Sequence, residues 1–226
     1  MKNEYVNVLS QSPVFKGLEP EEITSILERS NYQVKRFATQ SMIAQSGSRC
    51  VYARIVLSGR VAGEMMDPTG KVLKIEDIEV SKMIAPAFLY GKNQHYPVNV
   101  LALEETSIWQ MHREDFTSML QKELSLLNNY LNAISNRAQF LSDKIRFLSF
   151  PTLKAKISFL LIRYMDEEGN VETHMTHQQM AELFGVTRPS LSREIRRLHE
   201  DGFIQARRNK IYISDPDALR ALLLRK

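Results

Sequence analysis

Four side chains that donate hydrogen bonds recur along one short segment, at spacings that place them on one side of a helix. They are Arg188, Ser192, Arg193 and Arg196. Apolar residues at the intervening positions form the opposite stripe, namely Leu191, Ile195 and Leu198. A guanidinium can bind the major-groove edge of guanine through two parallel hydrogen bonds, and such a pair discriminates against other bases by roughly 1–3 kcal/mol. The spacing therefore predicts a helix that reads bases in double-stranded DNA.

The residues before this helix predict the turn that positions it. Thr176 is a favourable N-cap for a preceding helix, and the apolar face of that helix consists of Met180, Leu183 and Phe184. Gly185 ends the first helix, and Thr187 can cap the second one only two residues later. Pro189 lies in the first turn of the second helix, where its missing N–H costs nothing. The segment is predicted to be a helix–turn–helix.

Two strand-like runs, 203–206 and 211–214, follow the second helix. The basic residues Arg207 and Arg208, with Asn209 and Lys210, join them and predict a wing beside the DNA backbone. Two other interpretations stay open: a solvated charged face on a helical hairpin, and a helix–turn–helix that binds protein. The predicted DNA contacts are Thr176, Gln178, Thr187, Arg188, Ser190, Ser192, Arg193, Arg196, Arg207, Arg208 and Lys210.

The run GVTRPSLSREIRRLHEDGFI, residues 185–204, resembles the recognition-helix signature of the CRP/FNR family of bacterial transcription regulators. The resemblance implies that Arg188, Ser192 and Arg193 occupy base-reading positions. Many members carry Glu where this chain has Pro189, and this difference removes an acceptor for the cytosine amino group. The family's operator sequence is therefore not implied for this chain.

Composition limits the classes of protein that fit the chain. Its 226 residues are 43% hydrophobic and carry a net charge of only +4, which does not indicate a general polyanion binder. Residues 151–226 contain 13 basic and 10 acidic side chains, so the argument for DNA rests on arrangement. Cys50 is the single cysteine, which excludes internal disulfides and four-cysteine iron–sulfur clusters. No signal peptide or membrane span is recognisable, so a cytoplasmic location without membrane association is expected.

Short alternating runs between Tyr32 and Met111 predict a β-roll of the jelly-roll or double-stranded β-helix type. Turn signals at 58–59 and 67–70 separate them, and a helical lead-in over residues 1–31 precedes them. The hairpin Val56–Val61 and the phrase Phe15–Leu18 resemble the corresponding parts of CRP/FNR proteins. The predicted strands are 32–37, 51–57, 60–66, 71–76, 98–103 and 107–111.

A heptad pattern of apolar residues, mostly leucines, follows a short helix that begins at Arg113. The residues alternate spacings of three and four. They are Leu124, Leu127, Leu131, Ile134, Ala138, Leu141, Ile145 and Leu148. Such a narrow seam over four heptads is typical of a helix that pairs with another helix, although packing on its own domain could produce part of it. The sequence therefore predicts a parallel homodimer, whose two recognition helices can meet DNA half-sites one turn apart.

These predictions give an α+β chain of three parts. Residues 1–122 form the β-roll sensor, 123–150 the dimerisation helix, and 151–226 the winged helix–turn–helix, with Pro151 marking a hinge. An effector bound to the roll would shift the long helix and the spacing of the recognition helices. An activator of this kind would also contact RNA polymerase.

The sequence predicts the effector less directly than it predicts DNA binding. Family members that bind cyclic nucleotides clamp the ribose and phosphate with a Gly-Glu pair, an Arg and a small hydroxylic residue. The corresponding residues 86–97 contain no Glu and no Arg, so a cyclic nucleotide is not expected. The apolar run IAPAFLYGKNQHYPV resembles the subgroup that governs hybrid-cluster-protein and nitrosative-stress genes (HcpR). That resemblance implies haem b and a response to nitric oxide. The candidate effector residues are Met65, Met66, Met83, Phe88, Tyr90 and His95, with His112 as a weaker haem ligand.

A metal-dependent enzyme is the alternative function for a β-roll. Such enzymes hold their metal with clustered His and carboxylate ligands. Here His95 and His112 lie on different segments, and the other histidines lie outside the roll. We therefore expect no catalytic site.

Overall fold

The computed structural model describes residues 3–66, 72–173, 175–207 and 210–223, without the side chains of 3, 4, 66, 148 and 207. The chain divides into two compact units, 1–135 and 136–226. In the described residues, no helix is both long enough and apolar enough to span a membrane.

The first unit is a β-roll enclosed by helices. Tyr32–Phe37, Met42–Ala44, Tyr52–Ser58, Val61–Met66, Val72–Ile78, Asn99–Ala102 and Thr106–His112 form its strands β1 to β7 in that order. A 3₁₀ turn at Pro86–Phe88 lies between β5 and β6. The helices of this unit, with the long helix that begins in it, are α1 (Asn3–Ser10), α2 (Pro20–Glu28), α3 (Arg113–Lys122) and α4 (Leu124–Leu148).

Two antiparallel sheets form the roll. One has the strand order β1-β7-β3 and the other β2-β6-β4-β5. The register pairs Gln33 with Gln110 and Gln110 with Arg54 across the first sheet. Trp109 on the central strand β7 is fully buried, and Phe15, Tyr32 and Phe116 surround its ring. The core of the unit therefore joins the first sheet to the segment between α1 and α2 and to α3.

The structure confirms the predicted roll, and the strand ends shift by one or two residues. The short strand β2 was not predicted, because three residues are too few to show alternation. The predicted turn at 67–70 and Lys71 lie outside the described residues. At the other predicted turn, Gly59 adopts a φ of +87°, and a Cβ there would lie 2.5 Å from the Glu105 carbonyl oxygen. Only glycine fits that turn without strain.

As far as the structure describes it, the second unit contains the C-terminal half of α4, helices α5 to α8 and a small sheet. The helices are α5 (Leu153–Arg163), α6 (His177–Phe184), α7 (Arg188–Glu200) and α8 (Pro216–Ala221). Strand β10 (Lys210–Ile213) pairs with β9 (Ile204–Arg207) as the predicted wing, and with the two-residue strand β8 (Asn170–Val171), which was not predicted. Phe147 of α4 is buried in this core against Phe159 and Phe184. The last turns of α4 therefore belong to this unit.

Candidate functional site

The caps predicted for α6 and α7 are confirmed. The Thr176 hydroxyl accepts the Gln179 backbone N–H at 3.2 Å, and the Gln179 side chain accepts the Thr176 N–H at 2.8 Å. Gly185 ends α6 in the left-handed conformation, at a φ of 70°. Thr187 then accepts the Ser190 N–H at 3.4 Å and begins α7. Reciprocal capping and a glycine stop fix the turn between the two helices within three residues.

Helix α7 separates its apolar and donor residues as predicted. Leu191, Ile195 and Leu198 are buried in the core of the second unit, and their burial holds the helix in place. Arg188, Arg193 and Arg196 are exposed, and Ser192 is half-buried. Of the described side chains, no carboxylate pairs with these three arginines. A row of free guanidinium groups therefore lines the outer face of α7.

The neighbouring arginine of the same helix differs from this row. Arg197 forms an ion pair with Glu194 at 3.3 Å, so one nitrogen of its guanidinium is already bound to a carboxylate. Exposed pairs of this kind contribute little to stability. Arg197 therefore provides a matched comparison for the unpaired arginines.

The other predicted DNA contacts lie in different environments. The Gln178 amide donates to Glu182 at 3.0 Å, and the hydroxyls of Ser190 and Thr187 lie 2.9 Å apart. Lys210 is exposed at the start of β10. The side chain of Arg207 and the whole of Arg208 lie outside the described residues. The structure therefore places α6, α7 and the wing strands in one compact unit, and the tip of the wing is not described.

Two lysines support the helix–turn–helix and were not singled out in the sequence. Lys156 Nζ on α5 donates to the Phe184 carbonyl at the end of α6, at 3.1 Å. Lys154 forms an ion pair with Asp201 at 2.7 Å, and its ammonium lies 4.9 Å from the centre of the Phe203 ring. These hydrogen bonds join Lys156 and Lys154 of α5 to residues 28 and 47 positions further along the chain. Patterns among neighbouring residues do not predict contacts over such separations.

The predicted dimerisation stripe on α4 is partly unpartnered within one chain. Leu124, Leu131, Leu141 and Ile145 have 67, 52, 45 and 70% of their surface exposed. Ala138 is also exposed, whereas Leu127 and Ile134 pack in part against the core of the roll. The side chain of Leu148 lies outside the described residues. A row of large apolar side chains with 45–70% of their surface exposed is expected on a surface that another molecule covers.

The inner face of α4 carries residues that the leucine repeat did not predict. Leu126 and Tyr130 are buried in the core of the first unit. The Tyr130 hydroxyl donates to the Pro86 carbonyl at 2.8 Å, and its ring meets Tyr90 edge-on at 5.8 Å. Tyr90 in turn shares a hydrogen bond of 2.7 Å with Thr117 on α3. Burial raises the pKa of both tyrosines, so both stay neutral phenols.

The predicted effector residues are distributed over the roll. Met83, Phe88 and Tyr90 are half-buried and pack against its core. Met65 is 45% exposed on β4, and the side chain of Met66 lies outside the described residues. His95 is exposed, and its Nδ1 lies 3.2 Å from Asn93 Oδ1. His112 is half-buried against the Tyr52 ring. Of the described donors, Met83 alone lies half-buried against the apolar core of the roll, whereas Met65 and His95 are exposed.

Comparison with known proteins adds two family matches. Residues 34–123 match the cyclic nucleotide-binding domain, and residues 156–222 match the Crp-like helix-turn-helix domain. The cyclic AMP receptor protein of Thermus thermophilus is 21% identical over 194 residues, which cover 86% of this chain and 88% of that protein. The order of the two matched domains agrees with the order predicted from the sequence.

Solved structures share the fold. The catabolite activator protein of Thermus thermophilus matches with a TM-score of 0.54 and 19% identity, over 94% of this chain and 98% of that one. A transcriptional regulator of Thermotoga maritima matches with a TM-score of 0.52 and 27% identity, over 56% of this chain and 97% of that one.

Proposed function

Because this chain belongs to the CRP/FNR family of transcription regulators and carries the DNA-binding helix–turn–helix of that family, we propose that it acts as a homodimer on a two-fold symmetric operator. The observation that carries the proposal is the row of arginines on α7 that pair with no described carboxylate, on a helix whose opposite face is buried. Arg188, Arg193 and Ser192 read bases in this proposal, and Arg196 with the wing contacts the phosphates. Free guanidinium forks on a helix held by its own core match the requirements of major-groove recognition.

The second copy in the proposal covers the α4 stripe. Four large apolar side chains at a/d positions keep 45–70% of their surface exposed among the described residues, and a parallel partner helix would bury them at the spacing of a coiled coil. The same association brings two α7 helices to one duplex. Dimerisation and DNA binding are therefore coupled in the proposal.

An effector would act through the segment 81–90 and α4. Tyr130 joins this segment to α4 at the position directly before Leu131 of the stripe. A ligand that displaces Pro86 or Tyr90 would change the packing of Tyr130, and hence the geometry of the stripe. The supporting feature is one chain of contacts between the roll and the surface that the partner covers.

We propose haem b with nitric oxide as the effector, as the family resemblance implies, with another small molecule as the alternative. An absorption spectrum of the purified protein titrated with hemin, before and after nitric oxide, tests the haem proposal. We expect a stoichiometric Soret band that shifts on addition of nitric oxide. A flat Soret response would contradict haem and leave the alternative.

The test of the DNA-reading face compares two arginines on the same helix. We expect Arg193→Ala to weaken operator binding by about 1–3 kcal/mol and to relax the preference for one base pair, because it removes a bidentate contact. Arg197→Ala should bind as the wild type does, since Arg197 is paired with Glu194. Affinities for an operator selected from random duplexes, and for its single-base variants, supply the measurement.

The same assay addresses the protein-binding interpretation. Reversing charge at both Arg188 and Arg193 should abolish binding and reduce the dependence of affinity on salt. A doubly reversed variant that kept its DNA affinity and salt dependence would contradict the proposed function.

A further inference from the structure

One side chain on the outer face of α7 has neither a hydrogen-bond donor nor an acceptor. Pro189 is the second residue of this helix and is exposed. Successive residues of an α-helix are rotated by about 100°, so Pro189 lies roughly 160° around the axis from the buried Leu191. Arg193, four residues later, is its neighbour on the same face. The ring of Pro189 therefore lies near the middle of the face that is turned away from the core.

The polar groups on either side of Pro189 are already used in the cap of α7. Thr187 Oγ1 accepts the Ser190 N–H at 3.4 Å, and the hydroxyls of these two residues lie 2.9 Å apart. The Thr187 carbonyl accepts the Leu191 N–H at 3.1 Å. Pro189 itself has no N–H. The start of the helix therefore presents an apolar ring at the centre of its outer face.

Helix geometry explains why proline is tolerated at this position, since a missing N–H costs nothing in the first turn. A single exposed apolar residue is also ordinary on a protein surface. Pro189 differs from such residues in its neighbours, because the exposed Arg188 and Arg193 lie beside it on the DNA-reading helix. A duplex that contacts these arginines would also cover the proline ring.

The base pair opposite Pro189 would lose water from its major-groove edge. A polar edge atom that faced the ring would give up its hydrogen bond to water and gain no partner, which costs free energy. Three of the four bases present only polar groups in the major groove, whereas thymine adds the C5-methyl group. An apolar side chain at the centre of the reading face therefore matches thymine.

We propose that Pro189 is a specificity-determining residue that reads one thymine in each operator half-site, through contact of its ring with the 5-methyl group. This role rests on the proposed function, because it needs α7 in the major groove. Four residues of a helix span about 6 Å, and base pairs are stacked about 3.4 Å apart. The thymine therefore lies within two base pairs of the pair that Arg193 reads.

The experiment removes the methyl group and leaves base pairing unchanged. The full-length protein selects an operator from random duplexes, and each thymine is then replaced by uracil at symmetry-related positions of both half-sites. Base preferences of Arg193→Ala locate the pair that Arg193 reads. We expect uracil at one position within two base pairs of it to lower affinity about fourfold per half-site, the factor for one buried methyl-sized group. At that position, 5-methylcytosine should bind more tightly than cytosine.

Variants of Pro189 connect the methyl group with the ring. Pro189→Gly removes the ring and should bind the thymine and uracil operators equally, whatever its overall affinity. Arg197→Ala, at an exposed position of the same helix, is the matched control and should keep the full difference between the two operators. Pro189→Glu supplies an acceptor and should shift the selected base from thymine to cytosine, whose amino group donates. An acidic residue suits the first turn of a helix, and circular dichroism checks the fold of each variant.

The outcomes separate this role from DNA recognition as such. If uracil is tolerated at every thymine, or if Pro189→Gly still discriminates against uracil, Pro189 does not read a methyl group, while the contacts of Arg193 stay supported. A selected operator without thymine in the stated window would overturn the role in the same way. Failure to select any operator would remove the proposed function, and the role of Pro189 with it.

Discussion

Single residues determine whether the turns of the roll can form. Gly59 joins β3 to β4 with a φ of +87°, and Gly91 has a φ of +88°, so both backbones suit glycine. Their surroundings differ. A Cβ at Gly59 would meet the Glu105 carbonyl and Thr106, whereas a Cβ at Gly91 would meet nothing within 4 Å. Comparing the two positions therefore separates backbone strain from steric exclusion.

Gly59→Ala should lower the free energy of unfolding by about 2–5 kcal/mol, of which about 1–2 is backbone strain and the rest overpacking. Gly91→Ala should cost only the strain. Urea denaturation of both variants gives the two values. Equal losses at the two positions would show that the close contact at Gly59 relaxes freely.

Tyr130 provides a pH-dependent test at the same scale. Its folded-state pKa is raised above the ordinary value of 10.0 by burial. The neutral phenol is therefore favoured by folding, and its contribution to stability is complete below pH 10 and lost as the pH rises above it. We expect the free energy of unfolding to fall between pH 10 and 11.

Tyr130→Phe should cost about 1 kcal/mol at pH 8, because the hydrogen bond to Pro86 is lost. It should also make the alkaline decline shallower, although Tyr90 and Tyr96 still contribute to that decline. Urea denaturation at pH 8, 10 and 11 measures both effects. A variant whose decline is as steep as that of the wild type would contradict this account of Tyr130.

At the scale of the element, α4 presents two faces that the leucine repeat alone does not distinguish. Leu126 and Tyr130 turn into the core of the roll, and Leu127 and Ile134 pack there in part. Leu131 is 52% exposed, so a change there tests the outer surface without disturbing the core. Ile134 is a poorer choice, since its substitution would also affect folding of the roll.

Leu131→Asp should convert the proposed dimer to monomers and lower operator affinity at least tenfold, because two charges would face each other across the seam. Asn132→Asp, an exposed neighbour outside the stripe, adds the same charge and should leave the dimer intact. Sedimentation velocity gives the oligomeric state, and circular dichroism shows whether the fold is kept. Persistence of dimers in Leu131→Asp would rule out the α4 stripe as the interface.

The spacing of the two DNA half-sites depends on how both copies of the protein are arranged. If two copies bind one duplex, the half-sites of a selected operator should be related by a two-fold axis and lie about 10–10.5 base pairs apart, or a multiple of that spacing. Inserting five base pairs between them rotates one half-site to the other side of the duplex. We expect affinity to fall toward that of a single half-site, as measured by gel shift. Unchanged affinity after the insertion would show that each copy binds alone.

The features predicted correctly from the sequence are those that depend on neighbours within about two turns of a helix. Thr176, Gly185 and Thr187 mark the ends of α6 and α7, because caps and stops act on backbone groups three or four residues away. The outward arginines followed from helical periodicity. Most strands of the roll followed from alternation and turn residues, whereas β2 and β8 were too short to show either.

Contacts between residues far apart in the chain became visible only in the folded structure. The contact of Tyr130 with Pro86 joins residues 44 positions apart, and that of Arg54 with Gln110 joins residues 56 apart. Such pairs are set by sheet register and by the packing of helices on sheets, which no local pattern encodes. For this reason the sequence indicated a DNA-reading helix but not the lysine contacts that support it, and it indicated a leucine seam but not its inner face.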